Sequence, residues 1–184
     1  PRDMHKKGDH AGGSTRSWKQ EALQLLQPAL QGHDMGLASE AGMPAVADPG
    51  SSLVRAAHEA GIQVVPLSGP SSILLALAAS GLNGQNFAFI GYLPQDNTAR
   101  EKRLRELENV ARKTGQAQLW IETPYRNAVM LEQVLRTLSP DMVLCVAHGL
   151  TLASMGILSA TVSRHREGPR VWGDMVPGVY GMGG

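Results

Sequence analysis

The stretch "IETPYR", residues 121–126, sets a carboxylate, Glu122, four positions before a guanidinium, Arg126, where an apolar run gives way to a helical one. Open α/β sheets bind ligands beyond the carboxyl ends of their strands, so this junction is a candidate site. The plain structural alternative is a modest i,i+4 ion pair. A second junction is "LSGPSS", residues 67–72. Gly69 and Pro70 turn the chain there, and Ser71 or Ser72 opens a helix. The first turn of that helix offers unpaired N–H groups and a positive dipole end, suited to a carboxylate or phosphate, although both serines also suit simple capping. The third junction, "SEAGMPAVADPGSS" at 39–52, carries more turn chemistry than a plain reversal needs. Gly42 permits backbone angles closed to other residues and lets a ligand approach the main chain. Asp48 before Pro49 is most simply a turn former, and Met43 a packing residue. His148 ends the run "MVLCVAH" and fits either a ligand contact or a buried, satisfied imidazole.

Several chemistries are excluded. The six histidines are scattered and Cys145 is single, so no metal-ligand spacing exists. Neither a P-loop nor the dinucleotide or nucleophile-elbow glycine motifs occur. Net charge is +1 over 184 residues, so the chain as a whole does not attract polyanions, and aromatics at 4% argue against a stacked-ring platform for single strands. Hydrophobic residues reach 42%, enough for a core. A lone cysteine suits a reducing, cytoplasmic setting, and no apolar run approaches the roughly 18 residues of a membrane span.

The elements that must position these junctions alternate between strand and helix. Helical spacing covers 17–31, through Trp18, Ala22, Leu25, Leu26 and Leu30, bent or interrupted at Pro28. "DMGLA" (34–38) reads as a short strand, 51–60 as a helix and "IQVVPL" (62–67) as a strand. Helix 71–80, strand 87–92, helix 98–113, strand 117–122, helix 125–137 and strand 142–148 follow. In helix 98–113, Leu104, Leu107 and Val110 point inward, with Glu101–Arg105 and Glu108–Arg112 pairs on the wet side. The alternation predicts an α/β architecture with largely buried strands. A composition shift near "GLNGQN" (81–86) predicts domains 1–84 and 85–184. Residues 1–16 and the glycine-rich end, "SRHREGPRVWGDMVPGVYGMGG", read as loosely packed termini.

Taken in order, "SEAGMPAVADPG", "VVPLSGPSSILLALAASGL", "FAFIGYLP" and "IETPYR" resemble the tetrapyrrole methylase family, over roughly residues 35–150. The branch most similar in these motifs methylates ribose 2′-hydroxyls in small-subunit ribosomal RNA. The resemblance implies two α/β domains of the tetrapyrrole methylase type with a cleft between them for S-adenosylmethionine. It also implies a homodimer, ribosomal RNA as a partner and no membrane. Gly42, Met43 and Val46 would pass the cofactor with main-chain atoms; Ser71, Ser72 and Ile73 match the second cofactor loop; Ile121 and His148 would face them from the second domain. Methyl transfer asks the protein chiefly for alignment. Glu122, with Arg126 beside it, is a candidate catalytic group by position alone.

The pattern departs from the family in three places. No glycine- and proline-containing first loop precedes Trp18, so the first strand and loop are expected to be missing from this stretch. "AHGLTL" (147–152) stands where members carry an Arg-Glu pair, and "VPGVYGMGG" where they carry a regular apolar strand. Two alternatives follow: a methyltransferase acting on a tetrapyrrole or another small acceptor, and a truncated, non-catalytic cofactor-binding module.

Overall fold

The helical run around Pro28 is interrupted, one of the two outcomes its sequence allowed. In the computed structural model of the protein, which describes residues 15–168 and 176–184, α1 (Thr15–Leu25) stops before it and the short α2 (Gln27–Leu30) carries Pro28 in its first turn. A missing N–H costs nothing there. The chain divides into two compact units, residues 1–71 and 72–184. The first unit is organised by α1 and α3 (Ser51–Glu59), whose Ala22, Leu26, Ala56 and Ala57 are buried together, with Trp18, Leu53, Ile62 and Val64 packed on them. The Arg55 guanidinium lies 4.5 Å from the Trp18 ring centroid, a cation–π contact. Leu25 and Leu30 fall off this stripe and are exposed.

The strands expected at 34–38 and 62–67 do not form: among its described residues the first unit contains no strand. Both segments are extended, but neither finds a ladder partner, and a strand exists only where a neighbour takes its N–H and C=O groups. Val65 and Leu67 are consequently exposed. The terminal arm expected over residues 1–16 lies outside the described residues except for Thr15 and Arg16, which begin α1.

The second unit opens with α4 (Ser72–Ser80) and is built on one five-stranded sheet. Its elements are β1 (Phe87–Tyr92), α5 (Asn97–Thr114), β2 (Ala117–Glu122), a 3-10 turn (Pro124–Arg126), α6 (Asn127–Thr137), β3 (Val143–His148), β4 (Gly156–Thr161), α7 (Val162–Glu167) and β5 (Gly178–Gly183). Because α4 packs on this sheet, the units divide at 71/72, earlier than the 84/85 boundary expected from composition. The spatial order is β1-β2-β5-β3-β4. β1 and β2 are parallel, while β5 runs antiparallel to both β2 and β3. β1, β2 and β3 therefore point the same way, and their carboxyl ends, Tyr92, Glu122 and His148, share one edge.

The expectation of an irregular carboxyl terminus is corrected here. Residues 162–167 form α7, capped by Thr161, and 178–183 form β5, buried at every position in the middle of the sheet. β4 was likewise unforeseen. "GVYGMG" hides its strand character behind three glycines, of which Gly181 lies so close under Leu82 that a Cβ would fall 2.9 Å from it. Residues 169–175 lie outside the described residues.

Period-two alternation sends the two faces of the sheet to different helices. Trp120, Leu144, Val146, Tyr180 and Met182 face α5, α6 and α7 in the main core, where Trp120 and Tyr180 stack at 5.5 Å. Ala117, Leu119, Ala147 and Val179 face α4 through Ile73, Ala76 and Leu77. On α5, Asp96 caps the start by accepting from Ala99 N at 2.8 Å, and Gly115, at φ 66°, ends the helix. Leu104 and Leu107 are buried as expected, but Val110 is largely exposed, and Ala111 takes the inward place. Glu108 is not on the wet side either: it is buried, accepts from Ser139 N and pairs with Arg112 at 3.3 Å.

Cys145 is buried on the α4 face of the sheet, and burial pushes its thiol up to about 11 despite a hydrogen bond with Ser159. The thiolate is the nucleophile. Native protein at pH 8 is therefore expected to react with a disulfide reagent at least ~100-fold more slowly than denatured protein, a thiol deep below its pKa and shielded from the reagent; equal rates would place the thiol at the surface.

Candidate functional site at the carboxyl edge of the sheet

The edge shared by Tyr92, Glu122 and His148 is reached by α4 as well. Leu82, just past the end of α4, lies against Gly183 and close to the start of β2 at Ala117, at the opposite edge. A nine-residue helix is about 13 Å long, so the first turn of α4 projects toward the carboxyl edge. Ile73 accordingly shares a cluster with Ile121. Ser72 at the tip is exposed and Ile73 is buried. The structure thus brings Ser72, Ile73 and Ile121 together on the α4 face.

Glu122 and His148 belong to the opposite face, by the same alternation that turns Trp120 and Val146 toward α5 and α6. His148 stands between Gly156 and Gly178 in the ladder. A Cβ at Gly156 would overlap the His148 imidazole, so the ring lies flat over that glycine. At Gly178 a Cβ would fall 2.6 Å from Asn127 Oδ1.

Glu122 is a fully enclosed carboxylate. Its side chain has no exposed surface; Oε1 accepts from Thr123 N at 2.8 Å and from Thr123 Oγ1 at 3.2 Å, and Oε2 lies 3.2 Å from Arg126 Nη2. The expected ion pair is present, but it is a buried one, with Arg126 a quarter exposed at the rim. Burial and the Glu122 charge together hold the Tyr180 phenol well above its ordinary value. It stays protonated and donates to Asn127 O and Oδ1.

A second guanidinium, Arg100 on α5, lies beneath. It is buried, donates to Pro94 O (3.1 Å), Gln95 O (3.0 Å), Gln133 Oε1 (2.5 Å) and Asn97 Oδ1, and so fastens the loop after β1. Burial lowers its pKa, and the Arg126 charge lowers it further. Sequence reasoning missed Arg100, Gln133, Asn127 and Tyr180. The signal for Arg100 was available: it lies four residues before Leu104 and seven before Leu107, on the apolar stripe.

Gly42, Met43, Val46 and Ser71 belong to the first unit. Gly42 adopts φ 75° with open space where a Cβ would be. Two alanines of the same loop, Ala45 (φ 63°) and Ala47 (φ 59°), are left-handed, a conformation that costs a residue with a Cβ roughly 1–2 kcal/mol. The loop is tied by Ser39 Oγ, which donates to Ala41 O and Gly42 O, and by Val46 N to Met43 O. Met43 is half-buried, Val46 largely exposed and Ser71 buried.

Residues 2–162 match the family described as Tetrapyrrole (Corrin/Porphyrin) Methylases. The ribosomal RNA small subunit methyltransferase I of Vibrio cholerae is 37% identical over 133 residues, 72% of this chain and 45% of that protein. Its namesake in Haemophilus influenzae is 34% identical over 149 residues, 81% of this chain and 51% of that protein. The chain spans about half the length of the curated relatives it matches. Among solved structures, the methyltransferase CobJ superposes with a TM-score of 0.58 at 24% identity, covering 95% of this chain and 74% of CobJ. A uroporphyrin-III C-methyltransferase from Thermus thermophilus, solved with S-adenosylhomocysteine, gives 0.52 at 18% identity, covering 91% and 74%. At these identities the superpositions show the fold, which is α/β.

The strained loop yields a direct prediction. Ala45→Gly removes the left-handed penalty at the cost of a more flexible unfolded chain, and is expected to stabilise the protein by about 0.5–1 kcal/mol in urea titrations. A loss of stability would show that Ala45 is not left-handed in solution.

Proposed function

The chain belongs to the tetrapyrrole methylase family, and from that premise we propose that it is an S-adenosylmethionine-dependent methyltransferase whose acceptor is a ribose hydroxyl of small-subunit ribosomal RNA. The observation that carries the reading is the first turn of α4 beside Ile121 at the carboxyl edge, an anion-binding helix end placed where α/β sheets take ligands. Ser72, Ile73 and Ile121 are the residues of the second unit that would hold it; His148, on the other face of the sheet, is not one of them. In the first unit, Gly42 leaves its main chain unshielded, and Gly42, Met43, Val46 and Ser71 are the residues that the family resemblance offers for cofactor contact. Bound S-adenosylmethionine supplies an activated methyl on a sulfonium, so these residues need only align it with the acceptor.

Glu122 has a supporting part in this reading. A carboxylate with no exposed surface, three hydrogen-bond and ionic contacts and no open approach does not take a proton from a substrate hydroxyl. It holds Arg126. No helix among the described residues is long and apolar enough to cross a membrane; a ribosomal RNA acceptor would put the chain in the cytoplasm. We also infer a homodimer, because β1 and β4 are sheet edges and exposed Leu158 lies on β4.

Isothermal titration with S-adenosylhomocysteine is expected to give a dissociation constant in the micromolar range, about −8 kcal/mol, and tritiated methyl groups are expected to enter small-subunit ribosomal RNA at ribose. Absence of binding would end the methyltransferase reading for this chain. Glu122→Gln is expected to lower the thermal midpoint while keeping the rate within about threefold at temperatures where the variant is folded; a loss of ~100-fold or more in a folded variant would make Glu122 the general base.

A further inference from the structure

We propose that Tyr125 and Arg126 form a docking site for one nucleotide of single-stranded RNA, separate from the residues assigned to the cofactor. The inference rests on the RNA methyltransferase reading and names where the acceptor strand is held. Three observations carry it.

Tyr125 is 79% exposed in the middle of a rigid 3-10 turn, between Pro124 and an arginine whose partner is buried. A large ring held out to solvent by a fixed turn is a stacking surface with little order left to lose. Tyr92, 56% exposed, ends β1 at the same edge, but after the bulge at Gly91 (φ 79°) it pairs in register with Ile121 and so belongs to the α4 face, apart from Tyr125 and Arg126.

Arg126 is oriented from below. The enclosed Glu122 carboxylate lies 3.2 Å from Arg126 Nη2, an ionic contact on the buried side of the guanidinium. A guanidinium drawn by charge on its buried side and a quarter exposed on the other keeps N–H donors for a phosphate. Arg100 cannot serve itself, since its donors go to Pro94 O, Gln95 O, Asn97 and Gln133. Asp96, an exposed acid whose charge reaches Arg100, has Oδ1 engaged by Ala99 N.

Ring and guanidinium are adjacent in sequence, as base and phosphate are adjacent in a nucleotide. They lie at the α5/α6 face, whereas Ile73 and Ile121 face α4, so the strand and the cofactor would approach the edge from different sides of the sheet. The composition argued against an extended platform of stacked rings, and a single tyrosine at one edge agrees with that: the site grips a nucleotide, not a long strand.

The test measures a fluorescently labelled single-stranded RNA oligonucleotide by anisotropy, with S-adenosylhomocysteine titrated into the same preparations. Tyr125→Ala is expected to weaken RNA binding roughly tenfold, and Tyr125→Trp to restore it. Thermal midpoint and S-adenosylhomocysteine affinity are expected to be unchanged in both, because the side chain is on the surface. Arg126→Met is expected to reduce the slope of log affinity against log salt by about 0.7, one phosphate contact. If that variant does not fold, Tyr125→Ala and Tyr125→Trp decide alone. RNA affinity unaltered by the tyrosine changes overturns the proposal, as does a chain that binds S-adenosylhomocysteine but no RNA. Failure to bind S-adenosylhomocysteine, with tyrosine-dependent RNA binding intact, overturns the methyltransferase reading and leaves the docking site standing.

Discussion

Strand β5 is the constraint on which the second unit depends. It lies between β2 and β3 and gives each its only neighbour on that side. Without it the sheet would be two pairs, β1-β2 and β3-β4, each with an unpaired inner edge. A two-stranded pair is marginal in water. β5 also supplies Tyr180 and Met182 to the main core, and its glycines leave room on the other face for Leu82. Because β5 runs antiparallel to both neighbours, it sets β2 and β3 in the same direction and so brings Glu122 and His148 to a common edge. The candidate edge is made by a strand that contributes no reactive side chain to it.

Polar groups buried under that edge give it rigidity. Glu122 with Arg126, Arg100 with the loop after β1, and Tyr180 with Asn127 are connected by charge as well as hydrogen bonds. Buried ionic groups cost desolvation and stabilise little in net terms, but losing one partner strands the other. Their effect here is positional. The loop after β1, the 3-10 turn after β2 and the start of α6 are each fixed to a buried side chain, so rim residues such as Tyr125 are presented without freedom to collapse. In the first unit the corresponding device is backbone strain, since Ala45 and Ala47 hold the long loop in a shape that its residue types disfavour.

Much of this was readable in the chain. "FAFIGY" and "AQLWIE" became strands over the residues expected, and the helices between 51 and 137 fell within a residue or two of expectation. Apolar periodicity and turn residues are local properties, and they suffice where an element is both long and flanked. The same rule misled at 34–38 and 62–67, where the local pattern is strand-like and no partner arrives. It failed in the other direction at 178–183, where glycine masks a strand whose stability comes wholly from its two neighbours.

The sequence by itself determined the α/β class, the junctions at which ligand-binding residues collect, the Glu122–Arg126 spacing and the family. These follow from period, spacing and motif order, which need no neighbour to be defined. Only the tertiary structure decided that the sheet is mixed, that Ile121 and Glu122 look out from opposite faces, that Glu122 is sealed while Tyr125 is bare, and that Arg100 is buried. Those facts depend on which strand pairs with which and what packs above. A side chain's chemistry at pH 7 is set by its burial and its partners, and in this chain the decisive partners come from up to 53 residues away.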